Sequence, residues 1–173
     1  MKIVMIYDQI QSGLGTKDDR SLPLGLLKGP VGPAIMMESL LGQVGGRVVA
    51  TLYCGWGTYG SNPDEVAGKL VAMCHKISPD VVMCGPAFDY AEYAEMACRV
   101  AADIESAGKA HALAAVSQEN AETIDRYKDR VLIVKTPKKG GTGLNDALRS
   151  MCLIARALTE GTDMAQLKRR ACF

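Results

Sequence analysis

A fold built on a parallel sheet follows from three observations. Five short apolar runs recur along the chain: Lys2–Tyr7, Arg47–Tyr53, Asp80–Cys84, Ala110–Val116 and Arg130–Lys135. Each is followed by a loop of small or polar residues and then by apolar residues at helical spacing. The first run, KIVMIY, is apolar nearly throughout, as a strand covered on both faces must be. Strands alternating with helices in this way form a parallel sheet with crossover helices on both faces. The expectation is therefore an α/β three-layer sandwich with a five-stranded parallel sheet, flavodoxin- or Rossmann-like, formed as a single domain over residues 1–173.

The elements can be justified in order. After the first strand, the connection from Asp8 to Pro33 is long for a compact domain, which marks a functional cover or a partner contact. Within it, PLGLLKGPVGP reads as extended chain, because Pro23, Pro30 and Pro33 keep their predecessors out of the helical region. Pro33 opens a helix, AIMMESLLG, that stops near Gly42. RVVATLY is the second strand and runs into a glycine-rich turn. Asn62–Pro63 then starts a helix with Val66, Leu70, Met73 and Ile77 on one face. The third strand, DVVMC, ends at Gly85–Pro86, which let the chain turn sharply, and a helix follows from about Asp89 to Gly108. AHALAAV is the fourth strand, followed by SQEN and a short helix from Asn120 to Lys128. RVLIVK leads through TPKKGGTG to the last helix, LNDALRSMCLIARALTEG. The polar tail TDMAQLKRRACF is expected to pack on a neighbouring subunit.

Composition narrows the function. A net charge of +1 gives no global field for nucleic acid or an anionic membrane. No apolar stretch approaches the roughly 20 residues of a membrane span. The chain opens directly on the strand-like MKIVMIYD with no apolar signal region, so a cytoplasmic protein is expected. The six cysteines include no CxxC pair, which speaks against a zinc knuckle or a thioredoxin-type couple and for reduced thiols. Cys74, Cys98 and Cys152 fall in helical patterns beside apolar residues and read as small core residues; Cys84 reads as buried. His75 and His111 have no partner at metal-ligand spacing, and no metal is expected. Walker, GxGxxG, GxSxG and HExxH motifs are absent.

In a parallel sheet the loops after the strands share one edge, where ligands bind. TPKKGGTG, with Lys138, Lys139, Gly140, Gly141, Thr142 and Gly143 before a helix start, has the composition of an anion site, although a solvated turn would look the same. CGWGTYG places Cys54 where a thiol is expected to be exposed to ligand; it becomes a nucleophile only where a cation or helix N-terminus lowers its pKa. Trp56 and Tyr59 would wall a small cationic or apolar group. GPAFDY brings Gly85, Pro86, Phe88 and Asp89 to the edge; Asp89, Glu92 and Glu95 either bind an ammonium or simply face solvent. After the fourth strand, Glu119 is a candidate ligand contact, and Asn120 is either a ligand contact or a helix cap.

Taken in order, GPVGPAIMMESLLG, VVATLYCGWGTYGSN, SPDVVMCGPAFDYAEYAEMACRVA and VLIVKTPKKGGTGLNDALRSM resemble the N-terminal half of the selenoprotein B component of glycine, sarcosine and betaine reductases. DQIQSGLGTKDD is similar to that family's opening loop, so the resemblance runs over essentially the whole chain. It implies a subunit of an anaerobic oxidoreductase complex of amino-acid metabolism that reductively removes the amino group of a small amine. It also implies an oligomer with a pyruvoyl-type subunit and a separate selenocysteine- or cysteine-bearing subunit, because the family's redox-active selenocysteine lies C-terminal to the matched region. No cofactor is expected on this chain itself. In that picture Glu119 or Asp89 faces the ammonium group and Lys138–Gly143 faces a carboxylate; Cys54 and Glu119 are candidate catalytic groups by their position alone, and the resemblance transfers no catalytic role to them. Two rival readings stand beside it: a non-catalytic assembly module docking through the Asp8–Pro33 loop and the basic tail, and a flavin- or nucleotide-binding protein, disfavoured by the missing phosphate fingerprint.

Overall fold

In the computed structural model, which describes residues 1–173, strand β1 (Lys2–Tyr7) is buried from Ile3 onward. A long connection leads to β2 (Gly25–Lys28), then to helix α1 (Pro33–Gln43) and β3 (Arg47–Tyr53). The chain continues through α2 (Trp56–Ser61), α3 (Pro63–Ile77), β4 (Val81–Ala87) and α4 (Ala91–Ala107). After β5 (His111–Ser117), a single 3-10 turn (Gln118–Asn120) precedes α5 (Ala121–Tyr127). The last elements are β6 (Leu132–Thr136), α6 (Leu144–Glu160) and α7 (Ala165–Ala171).

The sheet has six strands in the order β2-β3-β1-β4-β5-β6, and all pairs except β2–β3 are parallel. The expected count of five is therefore corrected by β2, which pairs antiparallel with β3 from Gly25↔Tyr53 to Lys28↔Ala50. Prolines on both sides suit a short strand at a sheet edge, where one row of backbone groups needs no partner. The Thr51 hydroxyl donates to the Gly29 carbonyl at 2.9 Å and fastens its end.

Local chemistry explains most boundaries. Pro33 occupies the first turn of α1, and the Asn62 side chain accepts from the Glu65 N–H at the start of α3. α4 and α6 both pack on β4 and β5. α4 gathers α2, α3 and α5 around it, whereas α6 gathers α1 and α7. The inner face of α4 is largely alanine (Ala94, Ala97, Ala101 and Ala102 are fully buried), which lets this helix lie close to the sheet.

Two further readings are corrected. The glycine-rich turn after β3 contains the helix α2. β4 does not stop at Cys84 but continues to Ala87 through a cis Gly85–Pro86 peptide. The C-terminal tail folds on its own chain: α7 packs against α6, Cys172 bridges Val134, and the Phe173 N–H donates to the Ile133 carbonyl at 3.1 Å. No helix is long and apolar enough to cross a membrane.

Gly85 has a φ of 120°, and a Cβ there would collide with the Ala115 carbonyl of the neighbouring strand. That obstacle is backbone and cannot swing away. Gly85→Ala is expected to lower stability by about 2 kcal/mol or more, read by urea unfolding. A change within about 0.5 kcal/mol, the usual range for a surface substitution, would show that the position is not confined.

Candidate functional site

β1 delivers its last residue, Tyr7, and the following Asp8 and Gln9 to the carboxyl edge of the sheet with all three fully buried. The long connection then folds back on itself: the Ser12 N–H donates to the Asp8 carbonyl at 3.1 Å and the Gly15 N–H to the Gln9 carbonyl at 2.9 Å. Farther on, it crosses the end of β3. The Gly55 N–H donates to the Leu22 carbonyl at 2.9 Å, the Gly57 N–H to the Arg20 carbonyl at 2.9 Å, and the Thr58 hydroxyl to Leu22 at 3.0 Å. A side chain at Gly55 would strike the Arg20 carbonyl, so glycine is what admits the crossing. The Arg20 guanidinium pairs with Glu92 of α4 at 3.1 Å. The first part of this connection, up to Leu22, thus lies over the edge, while Gly25–Lys28 belongs to the sheet itself as β2.

Beneath the cover lies a group of polar atoms without partners. The Gln11 N–H donates to Asp8 Oδ1 at 2.6 Å, but Oδ2 is unpaired. The Trp56 N–H donates to Gln9 Oε1 at 3.2 Å, leaving Gln9 Nε2 and Trp56 Nε1 without acceptors. The Tyr7 hydroxyl lies against the Ala34 N–H at the start of α1. Buried polar groups are nearly always satisfied, and each exception costs about 1–3 kcal/mol. Here such atoms fall on Asp8, Gln9 and Trp56, the last two joined by the Trp56 N–H to Gln9 bond. Burial pushes the Asp8 carboxyl up to about 6, only partly offset by the N–H donors around it.

The other strand ends join this one. The Trp56 ring lies 5.0 Å from Tyr90, and Lys139 Nζ reaches the Tyr90 hydroxyl at 3.1 Å. Gln9, Trp56, Tyr90 and Lys139 therefore connect the loops that follow β1, β3, β4 and β6. The fifth loop is tied in through Phe88, whose carbonyl accepts from Ser117 Oγ at 2.8 Å and Asn120 Nδ2 at 2.6 Å.

The structure places the residues expected from the sequence as follows. Cys54 is fully buried, not exposed at the edge, because the Arg20–Leu22 crossing lies over it; burial pushes its thiol up to about 11. Trp56 and Tyr59 are also buried, as are Gly85 and Pro86. Phe88 is half-buried and Asp89 exposed. Asn120 is buried and clamps the Phe88 carbonyl; it makes no helix-cap bond. Lys138, Lys139, Gly140 and Thr142 are exposed, with Gly141 half-buried. Exposed Glu119 shares a groove of about 610 Å³ with Lys138 and Gly141. Sequence reasoning missed Tyr7, Asp8 and Gln9 as site residues. The available signal was an Asp-Gln pair directly after an apolar strand, at the opening of the long loop.

Burial raises every thiol: Cys74, Cys98 and Cys152 to about 12, with Cys84 and Cys172 also pushed up. No thiolate is therefore poised near neutral pH. No group of three or more His, Cys, Asp or Glu side chains is arranged to hold a metal ion.

The sequence model of the glycine/sarcosine/betaine reductase selenoprotein B family matches residues 1–172. The chain belongs to this family. It is 28% identical to the glycine reductase complex component B subunit gamma of Symbiobacterium thermophilum over 165 residues, 94% of this chain and 37% of the relative. It is 27% identical to the sarcosine reductase complex component B subunit beta of Peptoclostridium acidaminophilum, over 90% of this chain and 34% of the relative. The betaine reductase complex component B subunit beta of the same organism is 26% identical over 53% of the chain. The chain spans about a third of the length of the first two relatives. No solved structure matches it.

For this family member, the covered carboxyl has a consequence in pH. Asp8 rises from an ordinary 3.8 to about 6 in the folded state, so folding favours its protonated form. Its destabilising contribution is absent below about pH 4, grows as pH rises between the two values, and is complete above about pH 6. Asp8→Asn should flatten that part of the stability profile and raise stability at pH 7 by up to about 3 kcal/mol. Urea midpoints measured from pH 4 to 8 check this; parallel profiles for the two proteins would contradict it.

Proposed function

We propose that this chain helps to hold a small amine or amino acid for reductive C–N cleavage in a glycine/sarcosine/betaine reductase-like complex. Separate subunits would supply the selenocysteine or cysteine that reacts and the pyruvoyl group. The observation that carries the reading is the buried Asp8 carboxyl, whose Oδ2 has no partner, at the same sheet edge as two further buried donors without partners, Gln9 Nε2 and Trp56 Nε1. A zwitterion answers both needs: its ammonium meets Asp8 Oδ2 and its carboxylate meets the two N–H groups. In a water-excluded site, charge-assisted bonds of this kind are the strong ones. The rings of Trp56 and Tyr90 would suit the apolar shell of a methylated amine.

The fold supports this location. Among the parallel strands the order by chain position is 2-1-3-4-5, that of a flavodoxin-like three-layer sandwich. Such folds bind ligands where the order reverses, here between β1 and β4, where Asp8–Gln9 and Phe88–Tyr90 lie. Asp89, Glu119 and the Lys138–Thr142 loop would border the mouth of the site, and the 8–24 segment would lift to admit the ligand. Buried thiols with raised pKa values support leaving the redox atom to another subunit. We further propose that the complex works in the cytoplasm under anaerobic conditions. An assembly role is compatible with the same chain, since Ile35 and Met36 stand exposed in the first turn of α1 (57% and 55%).

In the complex purified with its native partners, Asp8→Asn should weaken binding of the amine substrate by roughly tenfold or more, the loss of a charge-assisted contact, while the chain stays folded and assembled. Combined Glu119→Ala and Lys138→Ala/Lys139→Ala substitutions should raise KM. Unchanged affinity and KM in both sets would overturn the reading. Mass spectrometry of the co-purified chains tests the partners: neither a selenocysteine- or cysteine-bearing subunit nor a pyruvoyl-type subunit in the complex would exclude them.

A further inference from the structure

The connection from β4 to α4 is three residues long, Phe88–Tyr90, and it carries the ring that meets Trp56. Local chemistry does little to fix its shape. Tyr90 occupies the N-cap position of α4 and makes no side-chain cap bond. Its hydroxyl accepts from Lys139, but that lysine is exposed and gives up rotamer freedom to hold it. The Tyr90 ring is half-buried, so its position follows the backbone that bears it.

That backbone is held from the neighbouring strand. The β4–β5 ladder ends with Ala87 paired to Val116, and one residue farther on side chains take over. The Phe88 carbonyl accepts from Ser117 Oγ at 2.8 Å and from Asn120 Nδ2 at 2.6 Å, so two side chains converge on one oxygen. Asn120 Nδ2 also reaches the Ser117 carbonyl at 3.2 Å and Ser117 Oγ at 3.3 Å, which ties the two donors to each other. Ser117 is fully buried and Asn120 nearly so, which shields these bonds from competing water. Asn120 also stands at the N-cap of α5, where asparagine ranks among the best capping residues, yet its side chain makes no cap bond. Its amide is turned towards Phe88 instead.

We propose that Ser117 and Asn120 are positioning residues of the amine site. By clamping the Phe88 carbonyl they set Tyr90 against Trp56, and with it the aromatic wall that receives the apolar shell of the amine. The two ring centroids stand 5.0 Å apart at a tilt of 37°, within the range where aromatic pairs attract. Trp56 is fixed by burial and by its N–H bond to Gln9, so the contact depends on where the 88–90 backbone places its partner. The inference rests on the amine reading for what the wall holds, and on geometry alone for the clamp.

Trp56 is the only tryptophan of the chain, so its emission reports the ring contact directly. In the folded full chain, Asn120→Ala should shift that emission to the red and speed its quenching by acrylamide, as Tyr90 moves off the indole. Ser117→Ala removes the other donor with a smaller loss of volume and should act in the same direction to a lesser degree. It carries the test where Asn120→Ala does not fold. In the complex purified with its native partners, the variants should raise KM for the amine by roughly three- to tenfold, the worth of one hydrogen bond, and leave kcat within about twofold. A merely structural role would lower the urea midpoint and leave native emission and KM as they are. Unchanged emission in the folded variants would overturn the proposal whatever becomes of the amine reading, which Asp8→Asn tests on its own. Shifted emission with an unchanged KM would overturn the part assigned to the clamp in the site.

Discussion

A carboxylate held out of water at the end of the central strand is the constraint around which the rest is arranged. β1 is covered on both faces, so whatever follows it emerges into the interior unless the next loop turns away at once. Here it does not. Residues 20–22 cross the end of β3 through bonds to Gly55, Gly57 and Thr58, and Arg20 reaches Glu92 beyond. Asp8 is thereby left with one oxygen satisfied and one unpaired, at a cost to folding that grows as it ionises. Marginally stable proteins keep such groups mainly where they serve a purpose.

The frame that holds this group was legible in the sequence, and the reason is physical. Parallel strands covered on both faces leave unbroken apolar runs, and the bounds of β1 and β3 agree with the runs read at Lys2–Tyr7 and Arg47–Tyr53. Signals at helix starts were equally plain: Pro33, and Asn62 with Glu65. Where local signals conflict with tertiary packing, reading fails. Gly55 and Gly57 help hide α2, because glycine there admits the crossing of the Arg20 segment rather than a turn. Gly85–Pro86 punctuates like a strand end, yet β4 passes through it to Ala87. β2 has a β-compatible sequence, but its pairing with β3 is a long-range event that no local pattern reports.

The site was legible in outline and not in detail. The loops after all five parallel strands do meet, through Gln9, Trp56, Tyr90, Lys139 and the Phe88 carbonyl. Which side chains are presented depends on a segment, Arg20–Leu22, that is distant in sequence from the β3 end it crosses, and that is why Cys54 read as exposed and Asp8 went unnoticed. A strand-end thiol and a strand-end carboxylate look alike in sequence; only the crossing chain decides that both are enclosed. The burial that silences the thiol makes the carboxylate a strong partner for a cation.

Membership of the selenoprotein B family gives this geometry its setting, and the central claim is that a small amine enters beneath the 8–24 segment and pairs with Asp8. Hydrogen–deuterium exchange of the purified complex, with and without substrate amine, tests it most directly. The account predicts that amide exchange in peptides spanning residues 8–24 slows when the amine is bound, while the α3 peptides are unchanged. Indifference of the cover to saturating amine, with protection appearing elsewhere in the chain, would contradict it.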